Sequence, residues 1–359
     1  MNAVSPNNSK TCGPTGQRIV QLHPSLRCNL CCEHCYSSSG PGVRAELDPA
    51  LVCSLVSDAA RMGYGVVSVS GGEPFLYSGL REVLRHAKSL GLHTTVTTNG
   101  YFLQPRRLEM LRDLVDVLAI SLDGPPEMHN RLRGSPRAFE RLCSGIESLR
   151  RSGLNFGFIH TLTQETWEHL SWIGEFAAES GARLLQLHPL EMAGRAEGRL
   201  GALCAEEDGL AKAYLVASVL TAKYSGAMSI QLDLLHREQL LRAPHMVYAD
   251  ELPADLDANA PADLLGLIVM EADGAVVPIS YGFSRRYQIC SLKEQPLERS
   301  WPSFVREGYP GFRRMCRELF EELVSPNQRP LFNWHERIVA RSLQSSTVGT
   351  SSSGVASAA

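Results

Sequence analysis

Between residues 18 and 190, short apolar runs alternate with amphipathic stretches, and that alternation leaves few folds open. Arg18 to Pro24 reads as a strand. Asp48-Pro49 then caps a helix with Leu51, Val52, Leu55, Val56 and Ala59 on one face, ended by Gly63. Further strands are expected at 66–70, 93–98, 115–123, 155–163 and 182–190, with helices near 78–90, 104–114, 137–151 and 166–179. Six strand-then-helix units of this kind imply a parallel sheet with helical crossovers. The period fits an open doubly wound sheet and a barrel short of eight units equally well. In both, the segments that follow the strands gather at one face. Those segments are RCNLCCEHCYSSSG (27–40), GGEP (71–74), TTNG (97–100), SLDG (121–124) and HPLEMAGR (188–195). Polar and Gly-rich loops converging on one rim predict an active-site face.

After residue 205 the rhythm changes. A helix near 206–223, a strand-like MSIQLDLL (228–235) and a loop rich in Asp, Ala and Pro (249–263) come first. A hairpin over 264–280 then turns at Asp273-Gly274, and helices near 309–323 and 330–343 close the ordered chain. The predicted division is a flexible segment at 1–17, a core at 18–204, a C-terminal region at 205–343 and a disordered tail at 344–359. A net charge of −3 gives no basic field for nucleic acid or an anionic membrane surface. There is neither a run of 18 apolar residues nor a secretory signal, so a cytoplasmic setting is expected. In a reducing compartment, clustered cysteines bind metal or do chemistry more often than they form disulfides.

Four cysteines, Cys28, Cys31, Cys32 and Cys35, fall within eight positions. A structural zinc site normally takes four ligands from two separated pairs, and this chain has one crowded cluster. The spacing Cys28-x3-Cys32-x2-Cys35 instead offers three thiolates to a cube of four irons, where electron-transfer cubes take four. Three ligands leave one iron open, which points to chemistry at the metal. Cys31 is then the surplus thiol.

This pattern, continued by Tyr36, resembles the signature of the radical S-adenosylmethionine (SAM) superfamily. The resemblance implies a partial (β/α)6 TIM-like barrel, one 4Fe–4S cluster on Cys28, Cys32 and Cys35, and SAM chelated at the open iron. Reductive cleavage of SAM would give a 5′-deoxyadenosyl radical that abstracts hydrogen from a substrate. Gly71, Gly72, Glu73 and Pro74 resemble the family's GGEP, which holds the methionyl amino group; a carboxylate suits an ammonium. Thr98 and Asn99 stand at the end of the third strand, where the family often contacts SAM. His34 occupies the position near the adenine, and Leu190 the weakly marked contact of the sixth strand. Ser121-Leu122-Asp123-Gly124, with His129, Asn130, Arg133 and Gly134, resembles the SPASM/twitch branch. There Ser121 would reach the ribose or the carboxylate, and Arg133 the carboxylate through its planar fork.

Residues 268–301 resemble the SPASM extension in hairpin and helix, but Ile279 stands where relatives place a cysteine. Cys204, Cys290 and Cys316 are scattered, so the extension is expected to be a smaller α+β, SPASM-like unit without an auxiliary cluster. Ile279 and Phe283 would fill the vacated site. The resemblance implies maturation of a ribosomally made peptide or protein side chain, with a flavodoxin- or ferredoxin-type reductant. A separate leader-peptide-binding protein is the expected partner, because only about 18 residues precede the first strand. The alternative is cofactor, haem or antibiotic small-molecule biosynthesis. More remote is a non-enzymatic iron–sulfur or zinc module, which leaves GGEP, SLDG and Arg133 without a task. His160, His188, Glu191 and Cys31 are near enough to the rim to consider as acid, base or hydrogen donor, and none is assigned.

Overall fold

A computed structural model describes residues 18–197, 204, 207–248 and 261–344. The segment 1–17 and the tail fall outside these residues, apart from Gln344. The first units are β1 (Ile19–Leu22), α1 (Pro49–Arg61), β2 (Val66–Val69), α2 (Leu80–Ser89), β3 (His93–Thr98) and α3 (Pro105–Leu111). Then follow β4 (Val117–Ser121), α4 (Pro126–Leu132), α5 (Ala138–Ser152), β5 (Phe156–Leu162), α6 (Leu170–Glu179) and β6 (Leu184–Pro189). The strand–helix rhythm is therefore real, and strands β1 to β6 pair in sequence order, all parallel. Helix α1 shows how the sequence builds each unit. Asp48 Oδ1 accepts the Ala50 N–H at 2.8 Å, a cap worth about 1 kcal/mol, while Val52, Leu55, Val56 and Ala59 turn inward. Strand β5 is buried along most of both faces, as a strand covered by crossover helices must be.

The remaining elements are α7 (Glu207–Lys223), β7 (Ser229–Leu232), β8 (Leu235–His236), α8 (Arg237–Arg242), α9 (Pro261–Leu264), β9 (Leu267–Met270) and β10 (Ala275–Pro278). After them come β11 (Cys290–Ser291), α10 (Leu297–Ser303), α11 (Tyr309–Leu323), β12 (Leu331–Phe332) and α12 (Trp334–Gln344). The expected loop over 249–263 is corrected at its end, where residues 261–263 begin α9. The hairpin is β9–β10, paired antiparallel.

Of the C-terminal strands, β8 and β12 pair with each other, antiparallel, and the others join the main sheet. Strand β9 pairs parallel to β1, with Ile19 opposite Leu267, and β7 pairs parallel to β6, giving one ten-stranded sheet in the order β11-β10-β9-β1-β2-β3-β4-β5-β6-β7. The series β1–β6 is thus an open, partial (β/α)6 arrangement in which later chain pairs with the free edges of β1 and β6 and moves the sheet edges to β11 and β7. One continuous core runs from Val20 to Ile338 through both regions.

Candidate active site

The C-terminal ends of the strands surround a cavity of about 160 Å³. Twelve of the fourteen residues expected to hold the cluster or SAM line it: Cys28, Cys32, His34, Cys35, Tyr36, Gly71, Gly72, Thr98, Asn99, Ser121, Arg133 and Leu190. Glu73 and Pro74 lie behind the wall.

Cys31 is placed differently from the other three cysteines of the loop. Cys28 and Cys32 are buried and Cys35 is half-buried, all three on the cavity wall, whereas Cys31 is exposed and outside it. N–H groups point at two sulfurs, Leu30 N at 3.4 Å and Asn99 Nδ2 at 3.7 Å from Cys28 Sγ, and Arg133 Nη1 at 3.9 Å from Cys32 Sγ. Burial pushes the Cys28 thiol up to about 12 and raises that of Cys32, so thiolates here need a metal to offset their desolvation. Among the described residues, no three His, Cys, Asp or Glu side chains close on a single ion. Cys28, Cys32 and Cys35 on one wall are the three-thiol donor set that a cube with one open iron would take.

The Gly-Gly turn after β2 is what lets the cysteine loop lie on the sheet. A Cβ on Gly72 would sit 2.2 Å from the Arg27 carbonyl oxygen, and Gly71, at φ +108°, would place one 2.4 Å from that of Ser25. The Gly72 and Glu73 N–H groups donate to the Ser25 and Arg27 carbonyls at 2.8 and 2.9 Å. Glu73 turns its carboxylate away from the cavity onto the end of β3. Oε1 accepts from the Thr98 hydroxyl at 2.8 Å and the Phe75 N–H at 3.1 Å, and Oε2 from the Asn99 N–H at 2.9 Å. Burial pushes this carboxyl up to about 6 against those donors. In this geometry Glu73 fixes the two polar residues that do reach the cavity, Thr98 and Asn99.

Arg133 likewise has a partner that sequence reasoning passed over. Its Nε donates to Asp123 Oδ2 at 2.5 Å, and His34 Nε2 lies 3.6 Å from the same oxygen. Asp123 Oδ1 accepts the Thr161 N–H at 3.2 Å. Burial alone would raise the Asp123 carboxyl, but Arg133, His34, His129 and His160 hold it well below the usual carboxylate range. Asp123 stands inside SLDG, so the signal was present without a reason to read it as a counter-charge. His160 is fully buried on Leu122 O and Thr166 and does not line the cavity.

His188 and Glu191 do line it. His188 Nδ1 meets Asp233 Oδ2 at 2.9 Å and its Nε2 meets Glu191 Oε1 at 3.2 Å, joining β6 to the residue that follows β7. Burial would lower this imidazole, but the two carboxylates push it up to about 10. The extension reaches the cysteine loop directly, with the Tyr281 ring 5.6 Å from Tyr36, and packs 4.8 Å from His23 just after β1.

The scattered cysteines are packed as hydrophobes. Cys290 and Cys316 belong to the main core, and Cys204 packs against a separate cluster of Leu190 and Ala196. Phe283 is in the core against Tyr287 and Phe312. Ile279 is half-buried at φ +66°, a left-handed conformation that a β-branched residue rarely takes.

Against known proteins, the model of the radical SAM superfamily matches residues 22–177. The AdoMet-dependent heme synthase of Methanosarcina barkeri is 33% identical over 183 residues, 50% of this chain and 52% of that one. The chain thus spans about half the length of that relative. The Fe-coproporphyrin III synthase of the same organism is 24% identical over 339 residues, covering 90% of this chain and 80% of its own. Streptococcus suis SuiB, solved bound to its precursor peptide SuiA, superposes with a TM-score of 0.62 at 15% identity, over 83% of this chain and 66% of that one. That likeness concerns the fold.

Proposed function

Because this chain carries a radical SAM domain, a domain of enzymes that use a 4Fe–4S cluster and S-adenosylmethionine, we propose that it abstracts hydrogen from a substrate held over the cavity. When bound, the cluster and SAM supply the 5′-deoxyadenosyl radical. The chain's own residues do the rest. Cys28, Cys32 and Cys35 would hold the cluster, and the Gly71-Gly72 turn admits the methionyl group close to backbone. Asn99, Thr98 and Ser121 offer hydrogen bonds along the wall, and Leu190 an apolar surface for the adenine. Arg133, pinned by Asp123, presents its guanidinium edge to the methionyl carboxylate. The observation that carries the reading is the placement of these three thiols, and not Cys31, on one cavity wall with the Gly-Gly turn.

For the substrate, the match to an Fe-coproporphyrin III synthase runs along 90% of this chain, extension included, and favours a tetrapyrrole-type small molecule. Maturation of a ribosomally made peptide is the second reading, favoured by the shared fold with SuiB, which was solved with its precursor peptide. A flavodoxin- or ferredoxin-type reductant is the expected electron donor, and a leader-binding protein belongs to the peptide reading alone. A cytoplasmic setting suits the thiols, since every described cysteine is free of disulfide. Among the described residues no helix is long and apolar enough to cross a membrane.

The test is anaerobic turnover with SAM and a low-potential reductant, which should release 5′-deoxyadenosine and methionine. Iron coproporphyrin should shift its Soret band on binding under the first substrate reading and leave it unmoved under the second. Absence of 5′-deoxyadenosine from iron-loaded protein would remove the proposed activity.

A further inference from the structure

The segment that follows β6, Ala193-Gly194-Arg195, lies across the cysteine loop. Arg195 alone makes three hydrogen bonds to it: its N–H to the Cys35 carbonyl at 3.0 Å, Nε to the Cys32 carbonyl at 2.8 Å, and Nη2 to the Ser39 carbonyl at 2.6 Å. Two of the three acceptors belong to residues whose thiols face the cavity. The approach depends on Gly194, which sits at φ +59° and whose Cβ would fall 2.3 Å from the Tyr36 carbonyl oxygen and 2.5 Å from that of Cys35. Carbonyls this close cannot yield as a flexible side chain would, so the strap admits only glycine at 194.

Charge separates Arg195 from the other cations of the cavity. Arg133 is offset by Asp123, and His188 by Asp233 and Glu191. Among the described residues, no carboxylate pairs with Arg195, which also lines the cavity. Three thiolates and a bound cluster bring negative charge to that wall, and an added electron increases it. A neighbouring fixed cation favours the reduced form, the more so in a partly buried site of low effective dielectric.

We propose that Arg195 is a positioning residue that straps the cysteine loop into its ligating shape and supplies the unneutralised positive charge beside the cluster. The proposal rests on the radical SAM reading for its redox half; its structural half stands on the protein without metal.

The test compares wild type with Arg195→Gln, Arg195→Lys and Gly194→Ala. Hydrogen exchange of residues 28–40 is followed in metal-free protein, and iron content and reduction midpoint, from the electron paramagnetic signal of the reduced cluster, in loaded protein. In Arg195→Gln the loop amides should exchange at least threefold faster and the midpoint should fall below that of wild type. Arg195→Lys should keep the midpoint near wild type, because the charge survives, yet still exchange faster, because an ammonium cannot span both carbonyls. Gly194→Ala should exchange faster with the charge intact. Wild-type exchange in metal-free Arg195→Gln, or a wild-type midpoint in its loaded form, overturns the proposal. If Arg195→Gln does not fold, Arg195→Lys decides: wild-type exchange there overturns it. A wild type that takes up no iron defeats the radical SAM reading instead, and the metal-free exchange still decides the strap.

Discussion

Arg133 Nε donates to Asp123 Oδ2 at 2.5 Å, and both side chains are buried, with Arg133 Nη1 3.9 Å from Cys32 Sγ. The pair turns a guanidinium that would otherwise be a costly buried charge into a fixed part of the cavity wall. Removing one partner of such a pair costs about 3–5 kcal/mol, because the other is left buried and uncompensated. Asp123→Ala should therefore lower the unfolding free energy by about that amount in urea titrations at neutral pH. A depressed carboxyl contributes stability above its unfolded value of 3.8 and loses it on acidification, so the gap between wild type and variant should hold above that pH and narrow below it. A neutral-pH difference under about 1 kcal/mol would contradict the pairing.

Gly72 and Gly65 make a controlled comparison. A Cβ at Gly72 meets the Arg27 carbonyl at 2.2 Å, whereas at Gly65 nothing lies within 4 Å. Gly72→Ala should cost about 1–3 kcal/mol through forced backbone displacement and should lose bound iron. Gly65→Ala should keep both stability and iron. Equal iron content in the two variants would mean that the turn does not carry the cysteine loop.

Glu73 is predicted to act on the cofactor site through β3. Glu73→Ala leaves the Thr98 hydroxyl and the Asn99 and Phe75 N–H groups without their acceptor, at about 1–3 kcal/mol for each buried group left unsatisfied. Chemical denaturation should register the loss in protein free of metal and SAM. If metal-free Glu73→Ala is as stable as wild type and only SAM affinity falls, the carboxylate contacts SAM directly.

His188 should give stability a dependence on alkaline pH. With Asp233 and Glu191 on its two ring nitrogens and the half-buried His335 nearby, its folded value is about 10 against 6.5 when unfolded. The sign follows: the contribution is full below pH 6.5 and is lost as pH rises towards 10. Thermal melts of wild type and His188→Gln should therefore diverge most at pH 6 and approach each other above pH 9. A gap that stays constant over that range would show that the imidazole is not held protonated.

The chain showed its β/α units openly because each rests on local periodicity and turn chemistry, as in Asp48 capping α1 and Gly153 ending α5 at φ +73°. Spacing also separated Cys28, Cys32 and Cys35, which line the cavity, from Cys31, which is exposed. What stayed hidden depends on contacts distant in sequence. Ile19 pairs with Leu267 in the sheet, and no local pattern in 264–280 says that this hairpin borders β1 and not a sheet of its own. The counter-charge of Arg133 and the strap of Arg195 were equally hidden, since a lone Asp in a turn and a lone Arg after a strand carry no partner in their own spacing.

The central claim is that Cys28, Cys32 and Cys35 hold one iron–sulfur cube and that the extension holds none. Iron analysis with electron paramagnetic resonance on anaerobically reconstituted protein tests it most directly. The account predicts about four irons per chain, lost on changing Cys28, Cys32 or Cys35 to Ala. The same content should be kept in Cys31→Ala and in the combined Cys204, Cys290 and Cys316 variant. About eight irons, or a cluster that survives removal of Cys28, Cys32 and Cys35 together, would contradict it.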